Sequence, residues 1–182
     1  EVNCFIIDPG AAGEKIYKKL ESEDMYPDKI ILTHGHFDHI GAVEFLRKEL
    51  KAKVYIHIKD KDMLVSADKN LSSNFGEKIE TAPADKTIEE DDIFCGFQIL
   101  HTPGHTLGSI SLYDSEKGVL FSGDTIFKNG IGRTDFPGSN GELLLTSIKE
   151  KLLVLLENTI VYSGHGPRTT INEFKSYWLT RF

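Results

Sequence analysis

The run Thr33-His34-Gly35-His36-Phe37-Asp38-His39 packs three imidazoles and a carboxylate into six residues. Groups of this kind are costly to a fold unless something uses them. The run stands where an apolar stretch, Lys29-Ile30-Ile31-Leu32, stops and an amphipathic one begins. His34 and His36, two apart at the end of a strand, can face the same side. The turn that follows redirects Asp38 and His39 toward a second point beside the first. Imidazole nitrogen and carboxylate oxygen suit zinc and iron. The spacing therefore points to metal ligation rather than to a hydrated loop that happens to be rich in histidine.

Three later positions repeat the theme one residue at a time. His105 lies in Thr102-Pro103-Gly104-His105-Thr106, Asp124 in Ser122-Gly123-Asp124-Thr125, and His165 in Ser163-Gly164-His165-Gly166. Each is a ligand-type side chain beside glycine, which permits close backbone approach, and each follows a run that reads as a strand. His57 and His101 complete the seven histidines. Neither shares this setting, and both are read as structural or supporting. Arg133 and Asp135 are read as bracing a loop, with Arg133 also a candidate contact for an anionic substrate. Lys128 and Arg168 are read as solvated.

The elements that must position these groups can be traced by periodicity. Val2 to Ile7 reads as a strand, residues around Ile16 and Leu20 as a helix, and Lys29 to Leu32 as a buried strand. A helix is expected from about Ile40 to Leu50, then a strand at Val54-Tyr55-Ile56. This βαβ order favours parallel pairing. Lys59 to Lys78 reads as helix, then loop. From Ile88 the period changes to two, with strands at Ile93-Phe94, Phe97 to His101, Ile110 to Tyr113 and Val119 to Phe121. A long helix is expected over Leu143 to Leu156, opened by a capping box at Ser139 and Glu142. A strand at Thr159 to Tyr162 and a short helix at Glu173 to Leu179 close the chain.

With 182 residues, 40% hydrophobic and 27% charged, the chain has the balance of one ordinary globular domain. No apolar run is long enough to span a bilayer. The net charge of −7 disfavours nucleic acid as a partner. Cys4 and Cys95 make no metal-ligand spacing, so a reducing, cytoplasmic setting is expected. The first expected strand runs straight into Asp8-Pro9-Gly10 without a hairpin, so part of the N-terminal region is expected to be missing. The sequence leaves the oligomeric state open and expects a small molecule as substrate.

The HxHxDH run followed by His105, Asp124 and His165 resembles the metallo-β-lactamase superfamily. The likeness covers the chain from Asp8 onward. It implies an α/β fold, an αββα sandwich of two mixed β-sheets flanked by helices, as a single domain over residues 1–182. It also implies two divalent metal ions, zinc first, with iron or manganese compatible. On that pattern His34, His36 and His105 hold one metal and Asp38, His39 and His165 the other, with Asp124 bridging both. Asp38 and Asp124 then carry the catalytic burden, offsetting the metals' charge while leaving them Lewis-acidic.

Within the superfamily, Gly130-Ile131-Gly132-Arg133-Thr134-Asp135-Phe136-Pro137-Gly138 and Tyr162-Ser163-Gly164-His165-Gly166-Pro167 are similar to the glyoxalase II-like group. β-Lactamases of this fold usually carry Cys or Ser where Asp124 stands. The resemblance implies hydrolysis of a thioester, such as a hydroxyacylglutathione, by a metal-bridging hydroxide. Only a short stretch follows His165, where glyoxalase II itself continues with a glutathione-binding helical domain, so the thiol is left open. The alternative is a mononuclear iron persulfide dioxygenase, which the Gly-Arg-Thr-Asp-Phe run also resembles.

Overall fold

The βαβ pattern of the first half pairs its strands in parallel. The computed structural model describes residues 4–181. Strands β1 (Ile6–Ile7), β2 (Lys29–Ile31), β3 (Lys53–His57) and β4 (Lys86–Ile88) form one sheet in that order, and each of these pairings is parallel. Val2 and Asn3 of the expected first strand lie outside the described residues. Helices α1 (Gly13–Ser22), α2 (Phe37–Ile40) and α3 (Val43–Leu50) make the crossovers. The single helix expected over Ile40 to Leu50 is instead α2 and α3, because the chain turns at Ala42, whose N–H donates to the Pro9 carbonyl at 2.9 Å. Ile30, Leu32, Val43, Leu46, Val54 and Ile56 are fully buried in a core that this half builds for itself.

Lys59 to Lys78 is not the helix expected for its first part. It holds two short 3-10 turns, Lys61–Met63 and Ser72–Phe75, with Asn70 buried between them. Too few apolar residues recur at helical spacing here, and hydrogen bonds from side chains organise the segment instead.

The chain divides into two compact units, the second beginning at Glu89. Its strands are β5 (Ile93–Phe94), β6 (Phe97–His101), β7 (Ile110–Asp114), β8 (Val119–Gly123), β9 (Ile126–Phe127), β10 (Gly130–Ile131), β11 (Ile160–Ser163) and β12 (Thr169–Thr170). Six of them form a mixed sheet, ordered β12-β11-β8-β7-β6-β5, in which only β8 and β11 pair in parallel. The β9–β10 hairpin stands apart and has no sequence signature of its own. Helices α4 (Gly141–Ser147) and α5 (Ile171–Trp178) supply Leu144, Ile171, Phe174 and Trp178 to this unit's core.

The helix expected to reach Leu156 ends early. After α4 the chain widens into a π turn over Ile148–Leu152, closed by Leu153 N–H donating to the Ile148 carbonyl at 2.9 Å. Ile148 and Leu152 are fully buried while Val154 and Leu156 are exposed, so the apolar face stops there. The cap is also shifted by one residue. Ser139 spends its hydroxyl on the Phe136 carbonyl at 2.6 Å, and Asn140 Oδ1 accepts from Leu143 N at 3.0 Å. Asn140→Ala is expected to cost about 1 kcal/mol, read from urea unfolding. Among the described residues, no helix is long and apolar enough to cross a membrane.

Candidate functional site

Parallel pairing explains why the first unit gathers its polar groups. Neighbouring strands β1 and β2 run the same way, so the residues just beyond them leave at the same edge of the sheet. Beyond β1 comes Asp8, and beyond β2 come Thr33 and the histidines. Asp8 Oδ1 accepts from Thr33 N at 2.7 Å. Its Oδ2 accepts from the Thr33 hydroxyl at 2.6 Å and from His39 Nδ1 at 2.9 Å. With its proton given to Asp8, the Thr33 oxygen is left to accept from His34 Nδ1 at 3.2 Å.

These acceptors place the protons of His34 and His39 on Nδ1. The Nε2 lone pair of each is thereby reserved for a ligand, the arrangement by which carboxylates orient metal-binding imidazoles. The His34 ring lies 4.8 Å from that of His36 and 4.1 Å from that of His39, centroid to centroid. His34, His36 and His39 are buried, and Asp38 is exposed. Donor atoms of Asp8, His34 and His39 also fall within 4.8 Å of one another. Both Asp8 oxygens are committed to Thr33 and His39, however, so its part is to orient. Sequence reading passed over Asp8. Its signal was a carboxylate at a strand end, held at φ 46°, a left-handed conformation that Asp tolerates better than most residues.

In the second unit the same logic operates through strand direction. Because β6 and β8 are both antiparallel to β7, and β11 is parallel to β8, the strands β6, β8 and β11 all run one way. His105, Asp124 and His165 follow those three strands and emerge at a common edge. Nε2 of His105 and Nε2 of His165 each lie 3.6 Å from the same oxygen, Asp124 Oδ2. That is too long for a hydrogen bond. It is close to the separation of about 3.4 Å between two ligand atoms on one tetrahedral ion with bonds of about 2.0–2.2 Å. His105 and Asp124 are nearly buried, whereas the His165 side chain is 53% exposed.

The loop after β10 is built around this set. His105 Nδ1 donates to the Arg133 carbonyl at 2.8 Å, which again leaves Nε2 for ligation. A Cβ on Gly132 would stand 2.0 Å from the Asp124 carbonyl oxygen, so only glycine lets the loop pass. Arg133 Nε and Nη2 donate to Asp135 at 2.9 and 2.8 Å, and the guanidinium stacks on Phe136 at 4.3 Å. Hydrogen bonding from Arg133 holds the Asp135 carboxyl below the usual carboxylate range. Both side chains are well exposed, so the pair shapes the loop more than it stabilises the protein. His101 bonds the Leu107 carbonyl through Nε2 at 2.9 Å, and His57 Nδ1 accepts from Lys59 N at 3.3 Å.

Comparison with known proteins supplies the context for these two donor sets. Residues 3–165 match the model of the metallo-beta-lactamase superfamily. The chain is 45% identical over 173 residues to the Bacillus subtilis (strain 168) protein named probable metallo-hydrolase YqgX, covering 92% of this chain and 82% of that one. It is 39% identical over 183 residues to hydroxyacylglutathione hydrolase GloC of Haemophilus influenzae, covering 96% and 85%. Among solved structures, the BLEG-1 B3 metallo-beta-lactamase superposes with a TM-score of 0.91 at 46% identity, covering 94% of this chain and 85% of that one. TTHA1623 in a di-iron-bound form superposes with a TM-score of 0.86 at 38% identity, covering 93% and 85%.

Proposed function

This chain belongs to the metallo-β-lactamase superfamily, and we propose that within it the protein is a binuclear metal-dependent hydrolase of thioesters, hydroxyacyl thioesters of a small thiol in particular. The fold is the one expected from the sequence, β-sheets flanked by helices in the metallo-β-lactamase arrangement. That fold carries divalent metal on its histidine clusters. The residues present fit the role: three imidazoles have acceptors on Nδ1, and one Asp124 oxygen is equidistant from two Nε2 atoms. The equidistant oxygen is the observation that carries the reading, because it is what a carboxylate shared between two metals needs.

On the superfamily's ligand pattern, His34, His36 and His105 would hold one ion and Asp38, His39 and His165 the other, with Asp124 shared between them. Divalent metals so held supply Lewis acidity, which makes water a nucleophile near neutral pH and polarises a carbonyl. The protein's own groups do the rest. Asp38 and Asp124 offset positive charge in the site. Asp8 and the Arg133 carbonyl keep imidazole protons away from the ligating nitrogens. A thiolate is a good leaving group, so no protein acid is required. Zinc is the first choice of metal; iron and manganese suit the same donors, and the di-iron form of TTHA1623 supports iron as well.

The substrate assignment rests on the likeness to GloC and on the Gly130 to Gly138 run. Arg133 leaves Nη1 unused by Asp135, and we assign it to the anionic end of the substrate. Arg133→Met is expected to raise KM for an anionic thioester about tenfold with little change in kcat, the mark of lost ground-state binding.

Steady-state assays on zinc- or iron-loaded protein test the reading. S-lactoylglutathione cleavage without oxygen consumption is expected. Oxygen uptake on glutathione persulfide without cleavage would assign the protein to the persulfide dioxygenases instead. A second reading, β-lactam hydrolysis, is favoured by the likeness to BLEG-1; ring opening of a β-lactam in the absence of thioester cleavage would establish it.

A further inference from the structure

The loop that carries four of the proposed ligands cannot satisfy its own backbone. Phe37 is the first residue of α2, and the N–H groups that open a helix have no partner within it. His36, which precedes it, makes no side-chain cap. The Phe37 N–H donates instead to the Asn70 carbonyl at 3.0 Å. Two residues earlier, the Gly35 N–H donates to Asp60 Oδ2 at 3.3 Å. Both acceptors come from the segment between β3 and β4, and both bonds land on residues interleaved with His34, His36 and Asp38. The same segment backs the loop sterically, since a Cβ on Gly35 would fall 2.5 Å from Met63 Cβ.

Asn70 organises that segment. Its Nδ2 donates to the Met63 carbonyl at 3.1 Å and to the Ile79 carbonyl at 2.7 Å, and its Oδ1 accepts from Ser72 N at 3.0 Å. Asn70 is fully buried and Asp60 is 1% exposed. A buried amide is tolerated at such a place because its bonds are satisfied, and satisfied networks of this kind impose one geometry. The residue that follows, Leu71, takes a left-handed φ of 73°, so the chain bends sharply on leaving Asn70.

We infer that Asn70 is a positioning residue for the metal-binding loop, and that Asp60 assists it. By tying Met63, Ser72 and Ile79 together, Asn70 fixes the carbonyl that caps Phe37 and the wall behind Gly35. The backbone that bears His34, His36 and Asp38 is thereby set before any metal arrives. This inference rests on the metal-binding part of the proposed function and is independent of the substrate.

The test is cobalt titration of the metal-free protein, reading the d–d absorption bands and the affinity against a competing chelator. Asn70→Ala is expected to weaken cobalt binding about 10–100-fold, the scale on which residues supporting metal ligands act, with altered bands. Asp60→Ala should move in the same direction, and Asp60→Asn, which keeps an oxygen for Gly35, should restore the wild-type spectrum. If Asn70→Ala does not fold, the Asp60 pair decides. Unchanged bands and affinity in the folded alanine variants, even with a lower thermal midpoint, would reduce both residues to scaffolding and overturn the inference. A wild-type chain that binds no cobalt would instead overturn the metal reading beneath it.

Discussion

Asp124→Ala is expected to retain at most one metal ion per chain and to lose about a thousandfold in kcat/KM for thioester cleavage. That loss is about 4 kcal/mol of transition-state stabilisation, a scale appropriate to removing metal assistance. The expectation follows from geometry. A single oxygen of Asp124 stands 3.6 Å from the Nε2 atoms of both His105 and His165, and truncation removes the anion between them. His105 and His165, assigned to different ions, both lose the carboxylate that stands between them. The fold should survive, because the backbone at this position is held independently: the Thr125 N–H donates to the Ser122 carbonyl and the Gly132 N–H to the Thr125 carbonyl. Metal analysis and circular dichroism on the same sample separate loss of metal from loss of structure. Full activity with two metals retained would end the binuclear scheme.

The second large effect is expected at Asp8, which touches no reacting atom in the scheme. Asp8→Ala leaves Thr33 N, the Thr33 hydroxyl and His39 Nδ1 without their shared acceptor. Stranding buried donors around a lost carboxylate is expected to cost about 3 kcal/mol in stability. Asp8→Asn is the sharper variant. Asn tolerates the left-handed backbone and keeps one oxygen, yet its amide nitrogen must face either the Thr33 N–H or His39. Facing His39, it donates to Nδ1 and moves the imidazole proton to Nε2, where it blocks ligation. Facing Thr33, it sets two donors against each other. Metal affinity should fall about 10–100-fold while the thermal midpoint of the metal-free chain falls less than in Asp8→Ala. Isothermal titration with zinc and a melting curve on each variant give both quantities; equal metal affinity in all three proteins would show that Asp8 only braces the strand ends.

The site was legible in the sequence wherever a ligand-type side chain sat beside a glycine at the end of an apolar run. His34, His36, His105, Asp124 and His165 announce themselves in that way, because strand ends and glycine turns have local signatures, and Asp38 and His39 show by their spacing from the two histidines before them. The groups that orient them do not. Asp8 acts through pairing with a strand some two dozen residues away, and Asn70 reaches Phe37 through a backbone carbonyl, which every residue possesses. The same holds for the Arg133 carbonyl under His105. Sequence reading picked Arg133 for its charge, and the structure adds a role for its main chain. Helix limits failed for comparable reasons. Ser139 and Asn140 are both good caps, and only the turn that engages the Ser139 hydroxyl decides between them. The β9–β10 hairpin is too short to show a period.

Metal stoichiometry against turnover tests the central claim most directly. The protein, stripped by chelator, is titrated with zinc or iron while S-lactoylglutathione hydrolysis is followed. The binuclear hydrolase predicts an inert stripped protein whose activity rises to a plateau at two equivalents. Activity that persists in chelator, or that is complete at one equivalent with no second ion bound, would contradict it.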